Sequence, residues 1–342
     1  MFIENRQREE SFTSPQEWPV PAASGKRPLS LNWLRKRMLS ISPEEASFEK
    51  RGFRECDPAS RQRLEKVGRT FLEGYHAALD DEDLVTLADG LGSIDAELRG
   101  FAFEGAAMGL TFLDLLSPRK KDRVVRFLKG PGADHIYMVH VGVGWALARL
   151  PWRMRRTITR LDPLLRWLVI DGYGFHEGFF HSRRSTEEHA VPRRLSGYAV
   201  RVFDQGLGRS LWFSLGADVE RIPETINAFH KNRRSDLWSG VGLACTYAGG
   251  SDYDSVVRLR EAAGKYWSHV AQGAAFAAKT RERARNMTDH TRMACDVLCG
   301  VNAGVAASIT DSSLIELDAE GPEPDYEVWR RRIRTSFLML NN

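Results

Sequence analysis

The sequence predicts an all-α fold, on three observations. Apolar residues recur at helical spacing, as in Leu164, Leu165, Leu168, Val169 and in Val256, Leu259, Ala263, Tyr266, Trp267. Ser117-Pro118 and Asp162-Pro163 each place a capping side chain before a proline, whose missing N–H costs nothing in a first helical turn. Glycine-rich segments return in the same order about a hundred residues apart, which predicts packed helices with small residues on one face.

The chain has 342 residues, enough for one large or two ordinary domains. Apolar residues make up 42% and charged residues 27%, which excludes wholesale disorder. The net charge of +4 is small, and no groove-reading motif accompanies it, so nucleic acid is not an expected partner. Cys56, Cys245, Cys295 and Cys299 lack the spacing of a structural zinc site, and four cysteines make no disulfide scaffold in so long a chain. Met1 to Glu10 is polar, unlike a secretory signal, and Val297 to Thr310 is too short to span a bilayer. The expected location is the cytoplasm, with peripheral membrane contact as the alternative.

In chain order, residues 1–30 read as a flexible tail, because they have no hydrophobic period. Residues 31–59 read as an amphipathic helix and connector, with Leu31, Leu34, Met38 and Ile41 on one face and a basic opposite face. Docking on the body is the plain reading; contact with a membrane surface is the other. Residues 60–160 and 161–280 read as two related helical units, and 281–342 as a helical completion. His135 to Val143 and Tyr198 to Phe203 are rich in β-branched and aromatic residues and so carry strand character, but helix remains the expectation.

The repeat pairs Gly100-Phe-Ala-Phe-Glu-Gly-Ala-Ala-Met-Gly109 with Gly197 to Gly208. It also pairs Gly142-Val-Gly-Trp-Ala146 with Gly240-Val-Gly-Leu-Ala244, and His176-Glu-Gly-Phe-Phe180 with Ala271-Gln-Gly-Ala-Ala275. Phe103 to Gly142 spans 39 positions and Phe203 to Gly240 spans 37. A weaker echo is Glu73-Gly-Tyr-His76. Glycine inside a helix costs on the order of 1 kcal/mol relative to alanine, so this many glycines imply close backbone packing.

Several of these strings carry a family resemblance. Arg99 to Gly109, His140 to Ala148, Leu161-Asp-Pro-Leu-Leu-Arg-Trp167, Asp171-Gly-Tyr-Gly-Phe-His-Glu-Gly178, Phe203 to Trp212 and Asp236 to Ala244 stand in order. Over about Leu31 to Phe337 the chain resembles a family of proteins encoded in enediyne natural-product gene clusters. The resemblance implies work beside an iterative polyketide synthase that makes a linear polyene. It also implies neighbouring pathway proteins as partners, a membrane protein among them. It supplies no catalytic residues and no cofactor.

Candidate chemistry therefore rests on polar residues inside apolar, glycine-rich sequence, where burial is costly unless the group is paired or used. These are Glu104, His140, Asp171, His176, Glu177, His181, Asp204, Gln205, Asp236 and His290. Arg99, Arg166, Arg201 and Arg209 are available to pair with them, which is the structural alternative. Bundle metal centres show two Glu-x-x-His elements, and only Glu73-Gly-Tyr-His76 has that spacing. Glu177 and His181 are four apart and share a helical face, but further ligands would have to come from elsewhere. No metal or cofactor is assigned. Cys295 and Cys299 read as buried small hydrophobes. No nucleophile elbow or phosphate loop is present.

The expected catalytic set is Glu104, His140, His176 and Glu177, lining one cavity for an apolar polyene. The expected function is acid–base or metal-assisted chemistry in enediyne core formation; the alternative is a non-catalytic protein that shields the polyene or scaffolds its neighbours. Deletion of residues 1–30 is expected to leave the melting temperature within a few degrees in a thermal melt, and a collapse of stability would show that this segment packs on the body.

Overall fold

The computed structural model describes residues 38–80, 83–117, 121–317 and 321–340. The chain divides into residues 1–40 and 41–342. The predicted tail and most of the predicted helix over 31–41 lie outside the described residues.

Among the described residues all regular structure is helical. The two segments with strand character are helical too: His135 to Val143 enters Ile136–Arg149, and Tyr198 begins Tyr198–Ser214. Asp162 does cap, accepting the N–H groups of Leu164 and Leu165 at 2.9 Å, but it caps a turn, and the helix starts later, at Trp167. Pro118 lies outside the described residues; the next helix, Arg123–Lys129, follows Asp122 without a side-chain cap.

The helices that carry the fold are α1 (Pro58–Asp80), α2 (Ala96–Leu116), α3 (Ile136–Arg149), α4 (Trp167–Phe180), α5 (Tyr198–Ser214), α6 (Lys231–Ala248) and α7 (Trp267–Arg283). They are followed by α8 (Asp289–Leu298), α9 (Ala303–Ser312) and α10 (Asp325–Leu340). No single helix among the described residues is long and apolar enough to cross a membrane; only the bent pair α8 and α9 passes that test jointly.

From α2 to α7 each long helix carries two small residues spaced i, i+2: Gly105 and Ala107, Gly142 and Gly144, Gly172 and Gly174, Gly206 and Gly208, Gly240 and Gly242, Gly273 and Ala275. Two residues advance about 200° around an α-helix, so the pair faces opposite sides. The first small residue meets the preceding helix and the second meets the following one. A Cβ on Gly144 would overlap the carbonyl oxygen of Val169, and one on Gly172 would overlap that of Val141. The same reciprocal contact joins Gly174 with Gly206, Gly208 with Gly240, and Gly242 with Gly273. Backbone meets backbone at each step, the geometry in which Cα–H groups approach carbonyl oxygens.

Neighbours run in the same direction. Gly105 meets Phe71 while Gly109 meets Tyr75 and Ala78; Gly174 meets Phe203 while Gly178 meets Leu207 and Ser210. Short helices such as Leu84–Gly92, Arg221–Ala228 and Tyr253–Ala263 return the chain between them. The crossings accumulate. Phe101, near the start of α2, packs edge-on against Tyr247, near the end of α6, at 5.1 Å, and Arg281 on α7 donates to the carbonyls of both Glu97 and Tyr247 at 2.7 Å. The array has thus turned back on its own beginning.

This regularity accounts for the sequence repeat in another way. The structure does not show a hundred-residue duplication; the contact recurs from one long helix to the next, including across the expected 160/161 join, where Gly144 meets Gly172. Segments three helices apart therefore look alike because every step is alike.

Gly144→Ala and Gly242→Ala are expected to lower stability by about 1–3 kcal/mol each, through overpacking against a partner backbone. Gly90, inside a helix with nothing near its Cβ position, is the contrast: Gly90→Ala should be neutral or stabilising by up to about 1 kcal/mol. Urea unfolding of the three variants checks this, and equal losses at all three positions would refute the packing account.

Candidate functional site

The helix array encloses a buried polar chain. Glu104 on α2 accepts the Trp145 indole N–H at 2.9 Å and lies 3.8 Å from the Arg209 guanidinium on α5. Arg209 is engaged more closely by Asp171 on α4. Asp171 also accepts from Gln205 at 2.8 Å, and Gln205 reaches the Tyr326 hydroxyl at 3.2 Å. Burial raises the Glu104 carboxyl to about 7, against the opposing pull of Arg209 and the Trp145 hydrogen bond. Arg209 cannot cancel the burial because its charge is already matched by Asp171. Glu104 is therefore an acid that exchanges its proton near neutrality.

Two narrow apolar slots share Arg209, and Glu104 lines the first of them. One is lined by Phe71, Phe101, Trp145, Phe175, Phe179 and Phe213, with Glu104 and Arg209 in its wall, and has a volume of about 50 Å³. The other, about 40 Å³, is lined by Met138, Val141, Tyr247, Phe276 and Trp329, and shares Arg209. Each holds a few waters at most, well below the roughly 300–1,000 Å³ of a preformed ligand pocket. The outer wall of the first slot comes from Ile41, Glu45 and Ala46. Beside it the Arg51 guanidinium lies over the Phe180 ring at 4.8 Å, and Phe53 packs edge-on against Phe179 at 5.1 Å.

The four residues expected in one cavity are not collected there. Glu104 lines the slot. His140 turns its Nδ1 to the Ile136 carbonyl of its own helix at 2.7 Å, and its buried Nε2 has no hydrogen-bond partner among the described residues. His176 and Glu177 sit at the end of α4 with Nδ1 and Oε1 3.3 Å apart. His176 touches the slot only from behind, through ring contacts with Trp145 at 5.8 Å and Phe180 at 4.8 Å. Its burial lowers its proton affinity, although Glu177 opposes that. His181 joins this pair and not Glu104: donor atoms of His176, Glu177 and His181 lie within 4.8 Å of one another.

The remaining candidates have structural partners. Asp204 takes Arg233 at 2.9 Å, Asp236 takes Arg201 at 3.0 Å and Arg330 at 2.8 Å, and His290 faces the Cys245 carbonyl at 2.9 Å. Glu73 is exposed, and His76 accepts the Ile41 N–H at 3.3 Å, so this Glu-x-x-His element holds no ligand geometry. Cys299 is buried, its thiol pushed well above the ordinary range, and points to the Ala271 carbonyl at 3.4 Å.

Sequence reasoning missed Trp145, Arg233, Glu327 and Arg330. Arg330 is fully buried and joins Asp236, Glu327 and Gln272. A signal was present: Tyr326, Arg330, Ile333 and Phe337 share one helical face, which places an arginine on an apolar stripe.

The family model described as "Protein of unknown function (DUF1702)" matches residues 30–337, and the chain belongs to that family. No curated protein and no solved structure matches it.

Glu327 is held down to about 2: Arg330, Arg334 and Arg201 around it outweigh its burial. A lowered folded value contributes stability that is present above the ordinary 4.5 and lost as pH falls toward about 2. Arg330→Met, which takes from Asp236 and Glu327 their fully buried arginine and leaves them Arg201 and Arg334, is expected to cost about 3–5 kcal/mol at pH 7. It should also flatten the acid limb of stability between pH 4.5 and 2. Urea titrations across pH check both, and an unchanged acid limb would count against this network.

Proposed function

We propose that the protein performs an acid–base step on an extended apolar chain, with Glu104 as the proton carrier. The observation that carries this reading is a carboxyl poised at about 7 in the wall of an aromatic-lined slot, beside the Arg209 that a second slot shares. The resemblance to proteins of enediyne gene clusters makes a linear polyene the substrate class that fits. Such a chain needs apolar walls and few polar groups, and the first slot offers aromatic faces with the Glu104 acid in its wall.

In this reading the protonated Glu104 gives its proton to the bound chain, or its carboxylate takes one. Arg209 and the Trp145 N–H favour the carboxylate that each donation leaves behind. The slots are narrow, so entry requires the aromatic side chains to part. The contacts of Arg51 and Phe53 with Phe180 and Phe179 are the ones that yield on the outer side.

Glu104→Gln tests this. In a producing strain the variant is expected to reduce product by about 100-fold or more, while purified protein still folds and still shifts the absorption of an added polyene. The folded value is raised here, so the wild type's contribution from Glu104 is fully present below 4.5 and lost as pH rises through about 7. The Gln variant should lack that decline, which amounts to roughly 3 kcal/mol. Full product formation by a folded variant sinks the catalytic role; polyene retained unchanged by the wild type replaces it with a binding role.

A further inference from the structure

We propose that His176, Glu177 and His181 bind one divalent transition-metal ion, held by two imidazole nitrogens and one carboxylate at the back wall of the aromatic slot. The proposal stands apart from the polyene reading, since it concerns side chains that do not line the slot.

Geometry comes first. His176 and Glu177 occupy the last turn of α4, and the helix ends at Phe180. His181 leaves helical geometry, with φ −129° and ψ 42°, while its N–H still bonds the Glu177 carbonyl at 2.8 Å. On a continuing helix residues 176 and 181 would point about 140° apart. Ending the helix lets the second imidazole fold back, and its centroid comes to 5.9 Å from that of His176.

Among the described residues the buried acids Glu104, Asp171, Asp204, Asp236 and Glu327 each pair with an arginine. Glu177 is buried as well, yet its ion-pair partner is the His176 imidazole. A buried carboxylate is costly unless a cation balances it, and a bound metal is the cation that two neutral imidazoles would accompany.

Two histidines and one carboxylate suit zinc, iron, nickel and copper, and leave coordination positions for water or a further ligand. Donors sharing a metal at about 2.1 Å lie at most about 4.2 Å apart. The present 4.8 Å spread must therefore close slightly. The exposed His181 side chain, just past the helix end, is free to make that movement.

The test uses the full chain, stripped with a chelator and titrated with zinc chloride by calorimetry, and with cobalt(II) followed by its visible absorption. One equivalent per chain is expected, with a cobalt spectrum of a mixed nitrogen and oxygen shell. His181→Ala changes an exposed residue and should leave the fold intact, yet weaken zinc on the order of 100-fold; Glu177→Gln should do the same. His230→Ala, an exposed histidine elsewhere, should change nothing. Absence of one-equivalent binding in the wild type overturns the proposal. So does unaltered affinity in both His181→Ala and Glu177→Gln, or loss in His230→Ala that matches theirs.

Discussion

Close approach of adjacent helix backbones at paired small residues is the constraint on which the structure depends. Where Gly144 faces Gly172 or Gly208 faces Gly240, no side chain separates the two helices. Attraction there comes from many small van der Waals contacts and from Cα–H groups near carbonyl oxygens. Because the two small residues of each helix face opposite ways, one contact fixes the helix before it and the other fixes the helix after it. The result is a series in which each helix is placed by its neighbours, until the crossings bring the end of α6 onto the start of α2.

Beyond these tight seams, helices distant in sequence also face one another, as Phe101 of α2 meets Tyr247 of α6. The interior is filled by aromatic rings and by a polar chain from Glu104 through Arg209 and Asp171 to Gln205 and Tyr326. A second group, Asp236, Arg201, Arg330 and Glu327, fastens α10 against α5 and α6. Removing charges from water is costly, so these acids are matched by arginines in fixed geometry. Glu104 is the acid whose arginine is mainly committed elsewhere, and its proton affinity rises for that reason. The narrow slots follow from the same packing: rings interdigitate until little space is left beside Glu104.

Much of the fold was legible in the sequence. Helical spacing and capping residues pointed to helices throughout, and the number of glycines pointed to backbone contact. The period is shorter than a comparison of Gly142-Val-Gly144 with Gly240-Val-Gly242 suggests, because Gly172-Tyr-Gly174 and Gly206-Leu-Gly208 carry the same pattern between them. The candidate site was less legible. Glu104 was found from its apolar surroundings, but Trp145 and Arg209, which define its environment, come from other helices. His176 and Glu177 were grouped with Glu104, yet α4 directs them to the outer end of the seam, where His181 joins them.

By itself the sequence determined which residues form helices, that their backbones meet, and that certain acids and imidazoles are buried. These depend on local periodicity and on the size of single side chains, both written in consecutive residues. Only the tertiary structure decided which arginine each buried acid takes and that Arg330, from the far end of the chain, completes the core. It alone also decided that Glu104 lines an aromatic slot while His140 turns to its own backbone. Such pairings depend on the direction in which each helix crosses the next and on how those crossings add up, a quantity that no local stretch of residues contains.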